Sequence, residues 1–257
     1  MTSRLQPQLT RRTLLTGALA LGTAGALPLT AAGTARAATG PEIAACGTWG
    51  ARAASEPVVI LSSPPQRIVV HHTATGNVTD YSKERAHALA RAIQNYHMDT
   101  QGWIDTGQHF TVSRGAFVME GRHHSLAELE SGTRQVRAAH CVGQNSSSIG
   151  IENEGTYTSV EPPAAQYAAL VELCAYVCRQ YRIPAAEIYG HRDFNDTGCP
   201  GDRLYAMLPK LRRDVATRTG EAPTDPLWEY VRDLPGGGGL GQSDYFPGGI
   251  PGLGSTR

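Results

Sequence analysis

Arg67-Ile68-Val69-Val70-His71-His72-Thr73 and Gly190-His191-Arg192-Asp193-Phe194-Asn195-Asp196-Thr197-Gly198-Cys199-Pro200-Gly201 are the two stretches on which the fold turns. The first is short and β-branched, bounded by Pro65 and a Thr/Gly/Asn loop, so it reads as a buried strand ending in His71. The second follows a short strand, Ile188 to Gly190, which delivers His191. His191 and Cys199 are too far apart in sequence to share a helical face, so a loop through Asp196, Thr197 and Gly198 must join them. A helix starting after Cys199 would favour its thiolate. Two imidazoles and one thiolate fill three positions around a tetrahedral zinc ion and leave the fourth for water, the layout of a catalytic site. His72 competes with His71, because on strand alternation one of the pair faces the site and the other faces away.

Outward from these stretches the chain alternates helices and strands. Residues 38 to 66 read as an irregular segment packing on the domain, broken by Pro57, Pro64 and Pro65. A helix is predicted from Ser82 to Met98, with Ala86, Leu89, Ala90, Ile93 and Tyr96 on one face and Asp80 or Ser82 as its cap. Gln108 to Ser113 and Ala116 to Glu120 read as a hairpin, and Ser148 to Glu152 as a further short strand. A second helix runs from Pro163 to Tyr181, with Leu170, Val171, Cys174, Val177 and Cys178 on its apolar face. A last helical region spans Asp202 to Thr217 and is split by Pro209. Together these elements predict an α/β domain over 67 to 220: a mixed central β-sheet flanked by about three helices, with the metal residues at strand ends on one edge. Residues 221 to 257 carry the run Gly236 to Gly239 and read as a Gly/Pro-rich, mostly disordered tail.

The 23 basic and 23 acidic side chains balance, but residues 1 to 37 hold Arg4, Arg11, Arg12 and Arg36 and no acid. Thr10-Arg11-Arg12-Thr13-Leu14-Leu15, a weakly apolar stretch to Leu29 and the small-x-small site Ala35-Arg36-Ala37 read as a cleaved export signal of the twin-arginine type. The remainder is mildly acidic, which argues against nucleic acid as a partner. A secreted monomer without a stable membrane anchor after signal cleavage is expected. The five cysteines are odd in number for an exported chain. Giving Cys199 to zinc leaves Cys46, Cys141, Cys174 and Cys178, enough for two disulfides. A bridge between Cys174 and Cys178 within one helix is awkward, so each is expected to pair with Cys46 or Cys141.

Six ordered stretches carry a resemblance. Trp49-Gly50-Ala51-Arg52, Val69 to Thr73, Gly102-Trp103-Ile104-Asp105-Thr106-Gly107-Gln108-His109-Phe110, Ala139-His140, Ser148-Ile149-Gly150-Ile151-Glu152 and Gly190-His191-Arg192-Asp193 to Cys199-Pro200-Gly201 are similar to the zinc-dependent N-acetylmuramoyl-L-alanine amidase family, which includes the peptidoglycan recognition proteins. The resemblance implies zinc at the floor of a surface groove, held by His71, His191 and Cys199. It implies peptidoglycan or muropeptides as substrate. The implied reaction is hydrolysis of the amide between the lactyl group of N-acetylmuramic acid and L-alanine.

Roles for other residues follow from the same resemblance. Active recognition proteins usually carry Tyr where this chain has Gln108, and Gln has no proton to give or take in the working pH range. Recycling-type amidases carry Glu where this chain has Glu152, which is therefore assigned as general base and later acid, with Gln108 auxiliary. Nearby Glu154 competes for that role. Thr197 matches an oxyanion or substrate donor, while His140 and Asn145 match a groove pair holding glycan or stem peptide. Trp103 could stack on a sugar, and His72 is placed with the substrate-binding set. Gln108 keeps a second class open, a non-catalytic peptidoglycan-binding protein of the same fold. A structural zinc domain ranks last, because the four-thiolate cage it favours is absent.

Overall fold

A computed structural model describes residues 40 to 221. The export-signal assignment over 1 to 37 and all of the tail assignment beyond Glu221 lie outside the described residues.

Eight strands and six α-helices follow one another as β1 (Ile43–Ala44), α1 (Cys46–Trp49), β2 (Ile60–Leu61), β3 (Arg67–His72), α2 (Lys83–Asn95), β4 (Phe110–Val112), β5 (Val118–Glu120), α3 (Ser125–Ser131), β6 (Gln135–Val136), β7 (Ser148–Asn153), α4 (Ala164–Tyr181), β8 (Ile188–Gly190), α5 (Asp202–Ala206) and α6 (Leu208–Thr219). Six strands form one mixed sheet in the order β1-β5-β4-β7-β3-β8, and β2 pairs with β6 in a separate antiparallel ribbon. The strands β4, β7, β3 and β8 run parallel, while β4 and β5 form the expected antiparallel hairpin. The predicted mixed sheet flanked by helices is what the chain builds.

Strand alternation splits the sheet into two chemically different faces. Ile68 and Val70 of β3, Ile149 and Ile151 of β7, and Phe110 and Val112 of β4 pack into one apolar cluster with Leu170, Leu173, Cys174 and Val177 of α4 and Leu208, Leu211 and Val215 of α6. The face opposite carries His71, Thr111 and Glu152, aligned with one another across β3, β4 and β7. Because β3 and β7 are buried on both faces, their sequences read as near-continuous apolar runs with single polar insertions.

The helices form where periodicity places them. Ser82 caps α2 by accepting from the Arg85 amide, and Leu89 and Ile93 are fully buried. A single π turn, Tyr96–Thr100, carries α2 just past its predicted end at Met98. The C-terminal region divides at Met207, with Pro209 in the first turn of α6, where its missing amide hydrogen costs nothing. The short α3 escaped the sequence reading. Only Ser125, Glu128 and Leu129 of it are buried, and Glu128 is held by Nε and Nη2 of Arg134 rather than by an apolar stripe. Residues 40 to 66 are mostly irregular. They contribute β1 to the sheet edge and bury Trp49, whose Nε1 donates to the Glu120 carbonyl. Among the described residues no helix is long and apolar enough to cross a membrane.

The two expected disulfides are absent: all five cysteines are buried free thiols. Geometry explains the correction. Cys174 and Cys178 face the sheet from α4 within the main core, whereas Cys46 packs with Trp49, Ala86, Ala90 and Met119 in another cluster. Cys141 sits in the loop before β7 and donates to Asn195 Oδ1 at 3.3 Å. Burial pushes these four thiols up, so each behaves as a small apolar side chain. Alkylation in denaturant without reductant, read by mass, should label all five cysteines; labelling of only one would mean that two bridges form.

Candidate metal centre

His71 is the fifth residue of β3, His191 directly follows β8, and Cys199 lies in the loop before α5. Their ligand atoms all fall within 4.8 Å of one another, and all three side chains are buried. Cys199 Sγ stands 3.7 Å from His71 Nδ1. Tetrahedral zinc with ordinary Zn–N and Zn–S bonds would set such a pair about 3.6 Å apart, so the donor set fits that ion. The strand that predicts His71 and the strand that predicts His191 are hydrogen-bonded neighbours, with Val70 opposite Gly190.

Arg192 closes the loop between His191 and Cys199. Its amide donates to the Cys199 carbonyl at 3.1 Å, Nη2 donates to the Gly198 carbonyl, and Nη1 pairs with Asp202 at 2.8 Å. Its guanidinium lies over the Tyr205 ring, 4.9 Å from the centroid. The Cys199 amide donates to Thr197 Oγ1, and the His72 amide donates to Cys199 Sγ. Sequence reading named Thr197 but not Arg192, for which a single sequence holds no signal beyond its place beside His191.

Burial holds both His71 and Cys199 away from their charged forms. Burial, followed by the positive charge the neighbouring histidines would carry, drives His71 well below the usual imidazole range. Burial pushes the Cys199 thiol up, opposed by the His72 amide. The pocket is thus arranged around neutral groups, and a divalent cation is what would favour the thiolate and repay its desolvation.

Glu152 and Glu154 have opposite surroundings. Glu154 accepts from Arg85 at 3.2 Å and from the Arg114 amide at 2.9 Å. Glu152 is fully buried in register with His71, and neither of its carboxylate oxygens meets a hydrogen-bond partner among the described residues. Burial raises its pKa well above the usual carboxylate range, and it is close enough to push the Cys199 thiol up. A buried carboxyl group left without a hydrogen-bond partner beside His71 marks a candidate functional position. Gln108 lies in the same neighbourhood. It is buried, its Nε2 donates to Thr111 Oγ1 at 2.8 Å, and its Oε1 has no partner among the described residues.

A cavity of about 460 Å³ opens beside the cluster, with His191 lining its wall. Trp103, His140, Asn145 and Thr197 line it as well, and Gln101, Val142 and Asn195 complete most of the rim. Asn145 Oδ1 accepts from the amides of His140 and Cys141, so it also shapes the loop. Gln108 and Glu152 are fully buried and do not line this cavity. His72 points to the opposite sheet face, where its Nδ1 accepts from the Tyr157 amide, and burial lowers its pKa to about 4.

The family profile described as N-acetylmuramoyl-L-alanine amidase matches residues 61–202, more than half of the chain. Peptidoglycan recognition protein 1 of Bos indicus is 34% identical over 171 residues, covering 65% of this chain and 84% of that protein. The N-acetylmuramoyl-L-alanine amidase of Homo sapiens is 32% identical over 191 residues, covering 68% of this chain and 31% of that protein. Among solved structures, peptidoglycan recognition protein-LE in complex with tracheal cytotoxin, a monomeric diaminopimelic acid-type peptidoglycan, superposes with a TM-score of 0.57 at 25% identity, covering 65% of this chain and 92% of that one.

The contrast between the two glutamates has a thermodynamic signature. Glu154→Gln breaks a buried ion pair and should cost about 3 kcal/mol. Glu152→Gln removes no partner and should cost under about 1 kcal/mol in metal-free protein. Urea denaturation of the two variants measures both, and equal losses would mean that Glu152 has an anchoring partner.

Proposed function

This chain belongs to the N-acetylmuramoyl-L-alanine amidase family, and on that premise we propose that it is a zinc-dependent hydrolase of the amide between N-acetylmuramic acid and L-alanine in peptidoglycan. The observation that carries this reading is the convergence of His71, His191 and Cys199 beside an unpartnered Glu152. A relative named as an amidase and a structural neighbour holding a muropeptide support the same substrate class.

The chemistry supplied by a bound zinc ion is Lewis acidity, which polarises a carbonyl and lowers the pKa of water. Glu152 does the proton work. With a cation bound nearby to offset its burial, Glu152 would be ionised and would take a proton from the attacking water and return it to the departing L-alanine amine. Thr197 Oγ1 already accepts from the Cys199 amide, which leaves its hydroxyl proton for the oxygen of the scissile carbonyl. Gln108 spends one Nε2 hydrogen on Thr111 and presents Oε1 as an acceptor, which suits holding a water molecule. Trp103 offers a ring face in the cavity wall for a sugar, and His140 and Asn145 form the adjoining wall. In this reading residues 1 to 37 are an export signal and the enzyme acts outside the membrane on cell-wall polymer.

A binding-only role has one observation in its favour, since a glutamine stands at position 108 where an ionisable phenol would serve catalysis. Digestion of purified peptidoglycan separates the two readings. An amidase releases stem peptides with a free L-alanine amine, loses that activity to chelator and regains it with zinc. Glu152→Gln should lower turnover about 10²- to 10⁴-fold with zinc content unchanged. Sedimentation with the polymer without release of peptides would establish the binder instead.

A further inference from the structure

The two histidines carry further information in the atoms that face away from the cluster. His71 Nε2 lies 2.9 Å from His140 Nδ1. His140 Nε2 lies 3.3 Å from Ser148 Oγ, and Ser148 Oγ lies 2.8 Å from the Gln144 carbonyl. A carbonyl oxygen only accepts, so the Ser148 hydroxyl donates to it and receives from His140 Nε2–H. His140 then has a lone pair at Nδ1, and His71 must supply the hydrogen from its Nε2. The polarity of the whole chain is set by one backbone carbonyl, and it leaves the lone pair of His71 at Nδ1, the atom facing Cys199.

His191 is oriented by an independent device of the same kind. Its Nε2 lies 3.0 Å from Asn195 Oδ1. Asn195 Nδ2 faces two carbonyls, Phe194 at 2.9 Å and Val142 at 3.3 Å. The amide therefore cannot be turned over, and Oδ1 accepts from His191 Nε2–H. Cys141 Sγ donates to the same oxygen.

We propose that the His140–Ser148 chain and Asn195 form an outer shell that locks both metal-binding histidines in the Nε2–H tautomer, so that each presents Nδ1 to the ion. This deepens the zinc reading and rests on it. His140 and Asn195 are positioning residues here, because each acts through a ligand. The seat of His140 is built for this purpose. A Cβ at position 150 would lie 2.4 Å from its ring, so only glycine in β7 admits the imidazole against the sheet. His109 flanks it: its ring stands edge-on 5.6 Å away and is held by the Gly150 amide and the Val136 carbonyl. Outer partners of this type raise the basicity of the ligand and remove the entropy of choosing a tautomer.

Two measurements on the full chain test the lock. Long-range nitrogen–proton correlation spectra of the metal-free, histidine-labelled protein report the tautomer directly. Both His71 and His191 should show Nε2 protonated, and a proton on Nδ1 of either overturns the proposal. Zinc affinity, read by competition with a chromogenic chelator, gives the energetic side. Asn195→Leu and Ser148→Ala should each weaken zinc roughly 10- to 100-fold. Asn195→Asp should keep the affinity because a carboxylate still accepts from His191. Circular dichroism of the metal-free variants checks that each is folded, and where a variant misfolds the tautomer spectrum of the wild type decides alone. Tight zinc binding by the wild type with no loss in either folded variant sinks this inference alone. A wild type that binds no zinc sinks the metal reading as well.

Discussion

The parallel pairing of β3 with β7 on one side and β8 on the other is the constraint from which the site follows. Pairing with β7 puts Glu152 opposite His71, and pairing with β8 ends at Gly190, one residue before His191. Parallel neighbours point aligned side chains to the same face. A slip of one residue in either pair would turn the carboxyl group onto the apolar face or draw His191 away from His71. Register here is strongly specified, since Ile68, Val70, Ile149 and Ile151 must all reach the α4 and α6 side.

The cost of that arrangement is electrostatic. The polar face of the central strands buries His71, Glu152, Cys199 and His140 almost completely. Such groups are stable in three ways: neutral, paired, or beside a metal ion. Glu154 takes the second way with Arg85 and Arg114, and it anchors β7 to the helix α2. Glu152 takes neither of the first two fully, because among the described residues it has no hydrogen-bond partner even as a neutral acid. Two carboxyl groups two residues apart thus serve different ends, one holding the fold and one left bare beside His71. The same division appears among the histidines. His109 has both nitrogens engaged by backbone and acts as a staple, whereas His140 relays a backbone carbonyl to His71.

Much of this was legible in the chain. The apolar run ending at His71, the strand before His191 and the loop to Cys199 are local patterns, and local patterns survive into the fold. The helical periodicity of α2 and α4 and the split near Pro209 survived for the same reason. What failed depended on distance. Cysteine parity implies bridges only where thiols can meet, and Cys46 lies in a different core cluster from the pair on α4. The helix α3 was missed because a buried Glu128, paired with the exposed Arg134, replaces the apolar stripe that periodicity detects.

By itself the sequence determined which residue types were available and on which local elements they stood: histidine at a strand end, histidine after another strand, cysteine after a loop of turn formers. Those facts depend on nearest-neighbour sterics and hydrophobic period. Only the tertiary structure decided that Glu152 rather than Glu154 is bare, that His72 turns to the far face, and that Asn195 stands behind His191 and the His140–Ser148 pair behind His71. Each of those outcomes rests on which backbone and side-chain atoms arrive from remote parts of the chain to accept or donate a hydrogen bond, and no local pattern encodes such an encounter.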